Sequence, residues 1–362
     1  MWRIIARRSR RGRWDSVADM LQRLLSHPDD SGATRHRRHK AIALWVVLAL
    51  ALLLGLFNLR SIAGAFAEFG TYLGYKFIQR ALVAGTLVSL CASLLGVTLV
   101  LKHYSMIGDG LSHVGFGSLT VAMALGFVTA DSLPAFLPAG LRGGIASLCR
   151  GIAANPLPFT LVIVVVCAFL LLRISEHSRM RGDSAIALIS TSALAAGVIV
   201  TSMTSGMNVD VYNYMFGSIL AMSASDVYLS LALSAVVLVL FVLFYPRIFA
   251  VTFDEAFARA TGVKAGSYNM LIALLTALTV VVGMRMMGTL LISSLIIFPA
   301  LSSMRLFSHF KAVTVCSAVV SVVCFAVGML LSCVYSLPTG AGIVAVNLFV
   351  FILFSAIGSV RA

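Results

Sequence analysis

The chain has 362 residues, of which 60% are hydrophobic and only 11% charged. Soluble domains carry about 25% charged residues, so a water-soluble domain is excluded and the bilayer is the expected solvent. The formal net charge of +14 is one a nucleic-acid binder would share. Here, however, the basic residues flank apolar runs or cluster in residues 1–40, which fits membrane topology and lipid contact and speaks for no nucleic acid.

Residues 1–40 hold eleven Lys/Arg against four Asp. Val17, Met20, Leu21, Leu24 and Leu25 fall at helical spacing there. Two readings stand side by side: a basic amphipathic helix on anionic membrane lipid, or a partly disordered extension that only holds the N-terminus inside. The arginine-rich stretch is too long for a signal-peptide n-region, so no cleavable leader is expected. Apolar runs follow at about 41–59, 81–101, 110–130, 158–173, 185–204, 225–246, 269–304, 312–335 and 340–360. Each is near the ~20 residues of one crossing, except 269–304. That run contains Gly283, Arg285 and Gly288. It either turns there and crosses twice, or holds one crossing with a broken part shielded by protein.

The expected fold is an all-α polytopic bundle of about eight to ten transmembrane helices, with a basic extension (1–40) preceding a transmembrane domain (41–362). Counting two crossings in 269–304 makes ten, with both termini cytoplasmic. Of the 27 lysines and arginines, only Arg60, Lys76, Arg80, Arg142, Arg150 and Arg285 then fall outside, a positive-inside bias. Residues 131–157, with Pro134, Pro138, Pro156 and several glycines, read as an external loop with a short surface helix. Gly115, Gly117, Gly197 and Gly217 suit close helix packing.

Asp109 and His113 lie four residues apart, on one face of a helix, at the mouth of an apolar run. A carboxylate and an imidazole suit a divalent transition metal, and ionisable groups inside a membrane are costly unless they serve a function. Two ligands fall short of the four or more such an ion takes, and a symmetric homodimer would double them across its axis. The plainer reading is that Asp109 caps the helix and His113 finds a partner in the core.

Residues 252–262 read Thr-Phe-Asp-Glu-Ala-Phe-Ala-Arg-Ala-Thr-Gly. Thr252 and Glu255 match a capping box and Gly262 a C-terminal stop, with about nine helical residues between. Phe253, Ala256, Phe257 and Ala260 form one apolar face. In a cytoplasmic loop, such a helix fits a groove on a partner protein or lies on lipid. Met284-Arg285-Met286-Met287 would suit Cu(I), but methionine is also ordinary packing material. Asn208, Asp210 and Asn213 make a polar patch that either solvates a loop or receives cations or a delivery protein. The six cysteines form no CxxC pair and read as small hydrophobes. No phosphate loop, GxSxG or HExxH occurs, which leaves no support for an ATPase or hydrolase.

Three segments together resemble one family. Ile107-Gly-Asp-Gly-Leu-Ser-His113 is similar to the GD-x-L-(S/A)-H signature of the zinc/manganese/iron ABC transporter permeases, the ABC-3 family. Tyr212-Asn-Tyr-Met-Phe-Gly-Ser-Ile-Leu220 resembles its Y-x-(F/Y)-L-F-G-(S/D)-I-L segment. Met287-Gly-Thr-Leu-Leu-Ile-Ser-Ser-Leu-Ile-Ile-Phe-Pro-Ala300 resembles its G-x-L-L-(I/V)-x-(A/S)-L-L-(I/V)-x-P-A segment. They come in the family's order over about 75–360.

The resemblance implies a permease subunit, not an enzyme, with the fold of the vitamin B12 and siderophore importers. It implies a bacterial inner-membrane homodimer, cytoplasmic ATPase subunits that hydrolyse ATP, and an extracytoplasmic metal-binding protein that delivers the ion. The cargo would be zinc, manganese or iron, with no cofactor bound permanently. Asp109 and His113 match the family's metal-contacting pair. The segment 253–262 matches its coupling helix, which brings Phe253, Asp254, Glu255, Phe257, Arg259 and Gly262 against the ATPase. Residues 1–59 are extra to the family core, and Leu301-Ser-Ser-Met-Arg305 departs from its usual alanine-rich run, leaving that helix end open. Two other readings are a stand-alone secondary transporter or channel, which would carry more acidic residues in its spans, and a lipid-bound scaffold without transport.

Overall fold

A computed structural model describes residues 74–127, 134, 138–177, 182–204 and 223–361. The chain divides into Met1–Leu53 and Leu54–Ala362, and all described residues belong to the second unit. The basic extension, the 41–59 run, the Asn208 patch and the Tyr212–Leu220 motif lie outside the described residues.

Those residues form α1 (Lys76–Leu101), α2 (Ile107–Ala124, prolonged by a 3-10 turn at Leu125–Phe127), α3 (Ala139–Ala154) and α4 (Pro156–His177). There follow α5 (Gly182–Met203), α6 (Ala224–Leu243), α7 (Tyr245–Phe253) and α8 (Glu255–Ala260). The last four are α9 (Ala265–Met287), α10 (Thr289–Leu306), α11 (Phe310–Tyr335) and α12 (Thr339–Arg361). Nine of the described helices, all but α3, α7 and α8, are long and apolar enough to cross a bilayer. No strand occurs among the described residues, as expected where every backbone polar group in lipid must bond within its own segment.

The long apolar run is two helices. Gly288 has φ +87, a conformation side-chain-bearing residues rarely adopt, and it separates α9 from α10. A Cβ built on Gly283 would lie 2.5 Å from Ile292 Cδ1. Residues nine apart in a straight helix would be separated by about 13 Å, so the chain folds back at Gly288. The open helix end after Pro299-Ala300 is resolved as well: α10 runs to Leu306. The expected external loop contains α3, too short to span and largely exposed.

The core is central in the bundle and unevenly shared. In α1 and α9, 72% of the spanning window is buried, against 22% in each of α4, α5 and α6. Lipid tails are as apolar as the side chains, so close packing and hydrogen bonds between helices supply the cohesion. Gly117 shows the first: a Cβ there would sit 2.5 Å from the Ala193 carbonyl oxygen, and Gly197 abuts Gly117 in turn, so α2 and α5 touch backbone to backbone. Ser321 Oγ shows the second, donating across helices to the Ser89 carbonyl at 2.9 Å. The six cysteines are all free and buried or half-buried, in line with their reading as small hydrophobes.

Two ends of the bundle are marked by ion pairs. Lys102, at the end of α1, meets Glu255 of α8. Arg285, near the end of α9, meets Asp226 of α6 at 3.3 Å, and Asp226 also completes a capping box with Ser223.

Candidate functional site

Asp109 and His113 stand in the first two turns of α2 and do share a face: His113 Nε2 lies 3.6 Å from Asp109 Oδ2. The site is not at the surface of the bundle end. Gly108 contacts Ile296, and Ile296 contacts Gly96 of α1. Gly96 is six residues before Lys102, so this turn of α2 lies about 9 Å inward from Lys102 at 1.5 Å per residue. Asp109 does not serve as the helix cap. The N-cap is Met106, without a side-chain bond, and Asp109 turns towards α10. There Ser293 Oγ, 3.2 Å from Asp109 Oδ1, is a hydrogen-bond donor, although it also has the Thr289 carbonyl at 2.9 Å. One hydroxyl proton serves one acceptor at a time, so Ser293 can release Asp109 without being left unpaired.

The Asp109 side chain is 47% exposed and that of His113 21%, although both belong to a spanning helix. Among the described residues no group of three or more His, Cys, Asp or Glu converges as metal ligands. Among the described residues, one copy of the chain offers one carboxylate and one imidazole at this place.

The segment at 253–262 is built differently from its expected form. There is no Thr252–Glu255 capping box. Thr252 belongs to α7 and bonds back to the Ile248 carbonyl at 2.6 Å. Asp254 is the cap of α8, accepting from the Phe257 amide at 2.8 Å, and the helix has six residues rather than about nine. Gly262, with φ +84, follows it as expected. The expected four-residue face is split: Phe253 ends α7, where it packs on Phe249 and Phe310, and only Ala256, Phe257 and Ala260 lie on α8, yet Phe253 is 55% and Phe257 63% exposed and both alanines are exposed too. Ala258 points the other way, into a small cluster with Val251 and Ala265.

Glu255 is turned inward. Its Oε2 lies 3.7 Å from Lys102 Nζ and accepts from Asn269 Nδ2 at 3.2 Å, and its Oε1 accepts from Arg259. Burial works against its charge, but the bonds from Asn269 and Arg259, with the positive charges of Lys102 and Arg259, outweigh it and hold the carboxyl below the usual range. Lys102 and Asn269 lie in no motif, and Ser293 lies inside the Met287–Ala300 segment without any feature that marks it as a site residue. Ser223-x-x-Asp226 before an apolar run is a readable capping signal that sequence reading passed over. Met284, Met286 and Met287 are at most 4% exposed and belong to the main core cluster, so they act as packing.

Comparison with known proteins places these observations in a family. The model of the ABC 3 transport family matches residues 74–358, essentially all the described helices. A manganese transport system membrane protein, MntC, of Halalkalibacterium halodurans is 27% identical over 285 residues, covering 79% of this chain and 88% of its own. The high-affinity zinc uptake system membrane protein ZnuB of Haemophilus influenzae is 25% identical, covering 77% and 97%. The solved structure of PsaBC from Streptococcus pneumoniae in complex with Fab shares the fold, with TM-score 0.64 at 24% identity over 80% of this chain and 95% of that one. With a family match spanning most of its length, nine candidate spans among the described residues and a shared architecture, this chain belongs to the ABC 3 transport family.

Proposed function

We propose that the chain is the membrane-spanning subunit of an ATP-driven importer in the bacterial inner membrane that carries a divalent transition metal ion. The observation that carries this reading is Asp109 with His113: two ligand groups 3.6 Å apart, inside a span, with the carboxylate half exposed. A carboxylate facing hydrocarbon is costly. A second copy of the chain covers it and brings the same pair across a two-fold axis, giving the four N/O ligands a divalent ion takes. Such a set suits zinc, manganese and iron, and two relatives are named for manganese and zinc transport.

The exposed Phe257 of α8, with Phe253 at the end of α7 near it, is the docking surface for a cytoplasmic ATPase subunit, with α8 inserted as a short helix into a groove. Arg173, Arg247, Arg259, Lys264, Arg305 and Lys311 gather towards that end, as the positive-inside rule requires. An extracytoplasmic metal-binding protein delivers the ion at the Arg285 end. Closure of the ATPase pair shifts the balance between outward- and inward-open states, and the ion passes between the paired Asp109–His113 faces.

Uptake of manganese, zinc and iron by metal-starved cells tests the reading. Wild type restores uptake of at least one ion, while Asp109→Ala and His113→Ala do not, with each variant still present in the membrane. Full uptake by both variants would refute the site. Uptake by proteoliposomes lacking any partner would favour a stand-alone carrier instead.

A further inference from the structure

The cluster around Lys102 lies outside the proposed ion site, yet only the turn His103–Met106 separates it from α2. Lys102 is the C-cap residue of α1. Its side chain is only 11% exposed, and its ammonium donates to Asn269 Oδ1 and faces Glu255 Oε2. Asn269 is 4% exposed. A charge this covered is retained only while its partners stay in place. On the far side of the contact, α8 is a six-residue helix between its Asp254 cap and Gly262. Its other anchorage to the bundle is Ala258 in the small Val251–Ala265 cluster.

From Lys102 the chain reaches α2 through a short turn bonded at both ends. His103 adopts φ +60, its amide donates to the Val100 carbonyl at 3.1 Å, and the Tyr104 amide donates to the Leu99 carbonyl at 2.8 Å. This is a Schellman stop with histidine where glycine is usual. The Ile107 amide then donates to the Tyr104 carbonyl at 3.0 Å and Gly110 to Met106 at 2.9 Å, which begins α2. Four residues separate Lys102 from α2, and Tyr104 bonds to both α1 and α2, which is the path by which a displacement of Lys102 reaches the first turn of α2.

We infer that Lys102 is a positioning residue: with Glu255 and Asn269 it ties the ATPase-facing helix α8 to the turn that sets the orientation of Asp109 and His113. The purpose assigned to this joint rests on the transport reading; its mechanical existence does not. Movement of α8 pulls on Glu255, Glu255 on Lys102, and Lys102 on the Schellman turn and α2. Release of the pair lets α8 move without moving α2.

Hydrogen exchange on the full-length chain in nanodiscs measures this without metal or ATPase. Asp254→Ala removes the α8 cap and loosens residues 255–262. With Lys102 present, exchange at residues 103–110 rises too, by about fivefold, a coupling of the size found within one contact network. In a Lys102→Gln background the same cap removal leaves 103–110 at the level of Lys102→Gln alone, and Lys102→Arg restores the propagation. An equal rise at 103–110 with and without Lys102, or no rise in either, overturns the joint. Asn269→Ser, which shortens the acceptor, is read in the same way if Lys102→Gln does not accumulate. Failure of the transport reading would show elsewhere, as wild type taking up no metal, and would leave the exchange result standing.

Discussion

Glu255 and Asp109 are both acidic groups set beside a basic side chain, and their surroundings differ in one respect. Both oxygens of Glu255 are engaged, by Lys102, Asn269 and Arg259. Asp109 has His113 at 3.6 Å and a hydroxyl shared with another acceptor, and it remains 47% exposed inside a span. A closed ionic cluster holds parts of the protein together; an open one has room for a ligand. The difference separates the proposed joint from the proposed binding site more sharply than the residue types do, since both clusters combine a carboxylate with a basic side chain.

The largest effect that would break this comparison is at Asp109. Asp109→Ala is expected to lower metal uptake by about 100-fold or more, because removing one member of a charged, partly desolvated set costs several kcal/mol. Uptake by metal-starved cells, with the variant's abundance checked in the membrane, measures it. Phe257→Asp comes next. It places charge on the uncovered α8 face and is expected to weaken copurification of the ATPase subunit and lower uptake by roughly tenfold, as for truncation of one interface anchor. Unchanged copurification would remove α8 from the docking surface.

Ser293→Ala sharpens the account of the open site. It deletes one hydrogen bond to a charged acceptor, and a few-fold change in the metal concentration for half-maximal uptake is expected. The smallest effect concerns Glu255. Its folded carboxyl titrates below the usual carboxylate range, so its contribution is present above about pH 4.3 and is lost as pH falls through the lower folded value. The group is one-third exposed, so screening keeps the contribution small. Exchange of residues 255–262 followed from pH 6 downwards is expected to accelerate beyond its intrinsic pH dependence only below that range, and Glu255→Gln removes the transition.

Much of this architecture is legible from local pattern. Apolar length marks the spans and four-residue spacing brings Asp109 and His113 to one face, while the over-long run with Gly283, Arg285 and Gly288 leaves a reversal and a broken crossing both open until the fold shows the reversal at Gly288. Pattern reading stops where partners are distant in the chain. Ser293 is 184 residues from Asp109, and Asn269 is 167 from Lys102; neither spacing nor composition announces such pairs. The Thr252–Glu255 box fails for a local reason. α7 continues through Phe253, so Thr252 bonds within that helix and Asp254, two residues on, is the first free to cap the next one. Glu255, unneeded for capping, is drawn to a lysine brought alongside by the fold.

The central claim is that Asp109 and His113 hold the transported ion between two copies of the chain. Metal binding to the purified full-length chain in nanodiscs, measured by equilibrium titration with manganese and with zinc, tests it most directly. Saturable binding of at least one of the two ions is expected at one ion per pair of chains, lost in Asp109→Asn and in His113→Gln. Binding of the same ion with unchanged affinity and stoichiometry in both variants would contradict it.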